Sequence, residues 1–146
     1  MDPGPPLPHD ARVPPTVLHL VDASPYLFRA YFALPESIVD ARGRPANAVR
    51  GFAAFLLGYH ERHRPTHIGV AFDQSLTTSF RNELFPAYKA DRGLPPPELE
   101  AQIDGCRRVA RALGAVEWAD RRYEADDLIA AACHHLVRAG RAARAP

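Results

Sequence analysis

Two short apolar runs that each close on an aspartate constrain this chain more than any other feature. "TVLHLVD" (16–22) and "THIGVAFD" (66–73) are rich in Val, Leu, Ile and Phe and read as short buried strands. Each is followed by a segment with helical spacing. After Asp22 a turn with Ser24 and Pro25 opens the aromatic helix "YLFRAYFAL". After the polar loop "SIVDARGRP", the stretch "ANAVRGFAAFLLGYHERH" puts Val49, Phe52, Ala53, Leu56 and Leu57 on one stripe, which ends at Pro65. "ELEAQIDGCRRVARALG" is a further amphipathic helix, with Leu99, Ile103, Cys106, Val109, Ala110 and Leu113 on its apolar face and Gly114 at its end. "AVEWA" reads as a third, shorter strand, and "RRYEADDLIAAACHHL" carries Leu128, Ile129, Ala132, Cys133 and Leu136 at helical spacing. Strands alternating with helices predict an α/β domain with a mostly parallel sheet and helices on both faces. In such sheets ligands collect at the carboxyl ends of the strands, where Asp22 and Asp73 stand.

The opening "MDPGPPLPHDARVPP" holds six of the 15 prolines and is expected to be a disordered tail. The domain is therefore placed at 16–140, with a short Arg/Ala-rich tail over 141–146. A chain of 146 residues, 47% of them hydrophobic, is the size of one domain able to bury a core. The net charge of only +1 means that any nucleic-acid partner must be met by local clusters, not by an overall field. Cys106 and Cys133 have no metal-type spacing, the N-terminus has no signal pattern, and no apolar stretch approaches the roughly 18 residues of a membrane span. These features predict a reduced cytoplasmic protein with no membrane partner.

Glu124, Asp126 and Asp127 stand together at the start of the last helix. Capping explains one carboxylate there, since an acidic group suits the positive end of the helix dipole. Three within four residues repel one another, at a cost that a bound cation lowers. With Asp22 and Asp73 at strand ends, the five form one set of hard oxygen donors, which suits magnesium, with manganese as a substitute, better than zinc. Magnesium is usually held by a few carboxylates together with substrate phosphates, so the set points to phosphodiester hydrolysis with water as nucleophile. The irregular stretch "QSLTTSFRNELFPAYKADRGLPPP" reads as a functional loop or helical arch, from which Arg81 and Lys89 would meet the scissile phosphate. Lys89 is the lone lysine among 18 Lys and Arg.

The stretches "LVDASPYLFRAYFALP", "VAFDQSLTTSFRNELFPAYKADR" and "RYEADDLIA" resemble the successive motifs of the bacterial 5'-3' exonucleases and flap endonucleases, the family that includes the 5'-nuclease domain of DNA polymerase I. The resemblance runs from about Val17 to about Ala139. It implies a PIN-like, Rossmann-like three-layer fold and magnesium-dependent cutting of branched or 5'-ended DNA by a monomer. By the same resemblance Asp22, Asp73, Glu124, Asp126 and Asp127 fall on metal-binding carboxylates, and Arg81, Lys89 and Arg92 on phosphate-contacting residues of the arch. Tyr88 falls on an arch aromatic near DNA, and Arg44, Asn47 and Arg50 on a loop and helix beside the duplex. The family also has a further strand with an aspartate pair and a helix-hairpin-helix region. Because the sequence ends at Pro146, the resemblance implies an N-terminal piece lacking part of the metal site, with a C-terminal half or partner chain to complete it. Two other readings stand beside the nuclease: a non-catalytic fragment that binds DNA or a partner, and a PIN-type ribonuclease, in which so long an arch is not expected.

Overall fold

The computed structural model describes residues 16–74, 79–90, 93 and 95–139. The two apolar runs form parallel strands, β1 (Leu18–Asp22) and β2 (His67–Asp73), and a third strand, β3 (Val116–Asp120), lies on the far side of β2 in the order β1-β2-β3. All pairings are parallel, with Val21 opposite Val70 and Ala71 opposite Trp118. Five helices connect and cover them: α1 (Ser24–Ala33), α2 (Asn47–His63), α3 (Phe80–Leu84), α4 (Pro97–Ala112) and α5 (Ala125–Arg138). Among the described residues, no helix is long and apolar enough to cross a membrane.

Period-two alternation divides the strands into two faces. Val21, Ile68, Val70 and Phe72 point to a core shared with Leu27 of α1, Phe52 and Leu56 of α2, and Leu99, Cys106 and Ala110 of α4. The opposite face carries Leu20, Ala71 and Trp118, and α5 touches all three strands there. The sheet thus separates α1, α2 and α4 from α5, giving the expected three layers. The layers are unequal. Along α5 only Ala125 is fully buried, while Leu128, Ile129, Ala132, Cys133 and Leu136 are half-buried.

Two glycines permit close approaches. A Cβ at Gly51 would lie 2.5 Å from that of Ala30, so α1 and α2 cross where no larger residue fits. A Cβ at Gly69 would meet the Trp118 ring at 2.6 Å, so the glycine opens the space in which that indole lies across β2. The buried stripe of α2 is narrower than its spacing suggests: Phe52 and Leu56 are buried, whereas Leu57, one step further round, is 49% exposed.

The largest departure from the sequence reading is a buried polar knot. Asn47 and Gln102 are 0% and 4% exposed. The Asn47 amide donates to the carbonyls of Tyr31 (2.8 Å) and Leu34 (3.2 Å) at the end of α1. Its oxygen accepts from Gln102 Nε2 at 3.0 Å. Gln102 Oε1 in turn accepts from the Ala48 and Val49 N–H groups, at 2.8 and 3.4 Å, in the first turn of α2. No side chain caps α2 from its own N-cap, Ala46, so a glutamine on α4 supplies the missing acceptor across the core. The expected duplex contact through Asn47 is therefore corrected: its polar atoms are all spent inside the fold, and no part of it reaches the surface.

Candidate active site at the strand ends

β1 and β2 stop on Asp22 and Asp73, and Ser24 joins the two carboxylates. Its N–H donates to Asp22 Oδ1 at 2.9 Å and its hydroxyl to Asp73 Oδ2 at 2.6 Å. The other Asp73 oxygen accepts the Ala125 N–H at 2.7 Å, so β2 caps the first turn of α5 from outside that helix. One serine and one helix terminus thus fix three chain segments around a single carboxylate. Ser24 was legible only as a turn residue. Its place two positions after a strand-end aspartate was the available signal for a second role.

Burial raises the Asp22 pKa above its ordinary 3.8, and the like charges of Asp73 and Asp126 add to this; the Ser24 N–H and Lys89 oppose it. Asp73 and Asp126 therefore lie close enough to Asp22 for their charges to act on it. β3 ends on a third aspartate, Asp120, in register with Asp73. Asp120 accepts the N–H groups of Arg122 (2.7 Å) and Tyr123 (3.1 Å), which turns the chain toward α5.

Glu124 and Asp127 are held differently. The Arg81 guanidinium makes two bonds of 2.7 Å to the oxygens of Asp127 and lies 3.7 Å from Glu124. Lys89 Nζ meets Glu124 Oε2 at 2.8 Å. Asp127 Oδ2 also accepts the Glu124 N–H at 3.1 Å, bracing the start of α5. The Arg81 hydrogen bonds lower the Asp127 pKa, and the same bonds raise that of Arg81. For Lys89, burial disfavours the charge, but the hydrogen bond and charge of Glu124 outweigh it, and the pKa is raised.

These basic groups come from the predicted arch, whose described part is more ordered than an irregular loop. Ser79 and Asn82 form a capping box that starts α3, and Asn82 Nδ2 donates to the Tyr88 carbonyl at 2.9 Å, folding the following turn back on the helix. Lys89 ends that turn with φ at 56°, a left-handed conformation uncommon outside glycine. Tyr88 stands between the two cations, its ring centroid 5.8 Å from Arg81 Cζ and 5.1 Å from Lys89 Nζ.

Asp22, Asp73, Glu124, Asp126, Asp127, Arg81, Lys89 and Tyr88 thus gather at one end of the sheet. The others do not. Arg44 is exposed and paired with Asp40 at 2.7 Å within its own loop, and Arg50 is exposed on α2. Arg92 lies outside the described residues. In kind, the donor set fits a divalent cation: every candidate ligand is a carboxylate, and Asp73 and Asp126 both act on Asp22 with like charge. Among the described residues, no three such groups close around one point, and Arg81 and Lys89 pair with Asp127 and Glu124.

Comparison with known proteins agrees with this fold. Residues 17–144 match the family model described as 5'-3' exonuclease, N-terminal resolvase-like domain. The chain is 44% identical over 115 residues to DNA polymerase I of Mycobacterium leprae, covering 78% of this chain and 12% of that one. It is 40% identical over 115 residues to the 5'-3' exonuclease of Bacillus subtilis, covering 77% of this chain and 38% of the relative. The fold is similar to that of the T5 D15 protein co-crystallised with metal ions, with a TM-score of 0.56 at 17% identity over 84% of this chain and 44% of the other. A second solved structure, T5 5'-exonuclease with divalent zinc ions bound, superposes with a TM-score of 0.51 at 13% identity. The chain spans 12% and 38% of the length of the two sequence relatives and under half of each solved structure. A parallel sheet ending in aspartates, with helices on both faces, is the PIN-like α/β architecture, and the chain belongs to the 5'-3' exonuclease family through its N-terminal resolvase-like domain.

Proposed function

We propose that this chain forms the N-terminal part of a metal-dependent 5' nuclease that hydrolyses phosphodiester bonds in 5'-flapped, branched or 5'-ended DNA. The observation that carries the reading is the joining of Asp22 to Asp73 through Ser24, with Arg81 and Lys89 held against the same cluster. Carboxylates alone describe many cation sites. Carboxylates with arginine and lysine from one intervening segment describe a site for a cation together with phosphate.

Asp22, Asp73 and Asp126 would hold magnesium or manganese, with Glu124 and Asp127 joining when their basic partners move to substrate. A divalent ion there would supply charge to stabilise the phosphodiester in its transition state and a lowered pKa for attacking water. The chain's own part is positional. Ser24 keeps two carboxylates at a fixed separation, and the Asn82 brace keeps Tyr88 and Lys89 over Glu124. Arg81 and Lys89 carry charge that can pass from carboxylate to phosphate oxygens without leaving the site.

The test is cleavage of an end-labelled 5'-flapped duplex, with magnesium, manganese or chelator, by this chain and by Asp126→Asn. Metal-dependent cutting that the substitution removes is the expected result. Cutting that survives Asp126→Asn would overturn the metal-site reading, and preference for single-stranded RNA would move the assignment to a PIN-type ribonuclease. A second reading is favoured by the ion pairs on Glu124 and Asp127: a fragment that binds DNA without turnover. Tight flap binding without cutting under all three conditions would select it.

A further inference from the structure

The turn from β3 into α5 carries two arginines that the site above does not use. The Phe80 N–H donates to the Arg122 carbonyl at 2.9 Å, tying this turn to the first residue of α3. Between the two segments runs an open groove of about 480 Å³, lined by Ser79, Asn82, Glu83, Arg121 and Arg122. Asn82 and Glu83 follow Arg81 at steps of about 100° round the helix, so the groove lies on a different flank of α3 from the Arg81–Asp127 pair.

The groove is unevenly charged. Arg122 Nη2 meets Glu83 Oε2 at 2.9 Å, both side chains being more than half exposed. Among the described residues, no acidic side chain pairs with Arg121. The amide of Asn82 is spent on the Tyr88 carbonyl and the Ser79 N–H, so it neutralises nothing. Two guanidiniums therefore face one carboxylate. The next residue, Tyr123, is 44% exposed and packs against Phe80 with ring centroids 5.6 Å apart. Planar cationic donors beside an exposed aromatic ring suit a strand of phosphates and bases better than they suit a small neutral ligand.

We propose that this groove is a second phosphate subsite of the nucleic-acid strand, held by Arg121 and, once Glu83 releases it, by Arg122. The strand's reacting phosphate would lie at the carboxylate cluster, on the other side of α3. Glu83 is then an internal competitor that weakens the subsite when no strand is bound. This inference rests on the nuclease reading, and its test separates the two.

The experiment is fluorescence anisotropy of a labelled 5'-flapped duplex with the full chain in chelator, where nothing is cut, across a series of potassium chloride concentrations. Arg121→Gln should weaken binding on the order of tenfold at 0.1 M salt and reduce the slope of log K against log salt by about one. Glu83→Gln should tighten binding, an opposite sign that general damage to the fold would not give. Parent affinity and slope in Arg121→Gln would overturn the subsite while leaving the nuclease reading in place. Unchanged or weaker binding by Glu83→Gln would remove Arg122 from it. A parent chain that binds no duplex at any salt would overturn both.

Discussion

The Asn47–Gln102 knot and the carboxylate cluster are both polar networks joining distant segments, yet they are built on opposite terms. In the knot every side-chain donor and acceptor is neutral and paired within the fold, so nothing is left over for a ligand. In the cluster like charges face each other across Asp22, Asp73 and Asp126, and the pairs on Glu124 and Asp127 are ionic and partly exposed. A network that is satisfied and dry gives rigidity. One with surplus like charge leaves groups unsatisfied within the fold, at some cost in stability.

Three substitutions followed by urea unfolding would break or sharpen that contrast. Gln102→Leu should have the largest effect, a loss of about 3 kcal/mol, since it leaves the Ala48 N–H and Asn47 oxygen buried without partners. Its cleavage per folded molecule should match the parent; a loss below about 1 kcal/mol would show that the knot is not structural. Asp127→Asn should cost less, because Arg81 keeps solvent access, but it should remove cleavage. Asp22→Asn should have the smallest effect on the fold and of opposite sign, a gain below about 1 kcal/mol at pH 7, again with cleavage lost. Destabilisation by Asp22→Asn would mean that its charge serves the fold, and the distinction between the two networks would fail.

The pH dependence follows the same division. The folded pKa of Asp22 is raised, so its contribution is present below the ordinary 3.8 and is lost as pH rises through the raised value. The folded pKa of Asp127 is lowered, so its contribution is present above 3.8 and is lost as pH falls through the lowered value. The gain from Asp22→Asn should therefore shrink from pH 7 to pH 3, while the cost of Asp127→Asn should shrink over the same interval. Unfolding series of both variants at the two pH values, in chelator, check this.

Much of this was legible in the sequence because it depends on local pattern. Short Val, Leu and Ile runs marked β1 and β2, and their terminal aspartates marked the site end of the sheet. The knot was hidden because Gln102 looks like any polar residue on an amphipathic helix, and its partner Asn47 lies 55 residues away. The family resemblance sets Asn47 beside the duplex, and nothing local in the sequence distinguishes an exposed asparagine from one that ties off a helix end. The ion pairs of Arg81 and Lys89 were hidden for the same reason. Sequence placed both cations near the acids, but only the turn braced by Asn82 decides which carboxylate each one meets.

The bonds that fix Asp73 have a kinetic side. Ser24 reaches it across 49 residues and Ala125 across 52, so the carboxylate is anchored only after both crossovers have closed. Contacts so far apart in sequence form late, once the loop-closure entropy has been met. A chain emerging from synthesis would therefore carry Asp22 and Asp73 long before the Ala125 N–H could fix the second of them. The Asp73 carboxylate would be held from both sides only when α5 docks against the sheet.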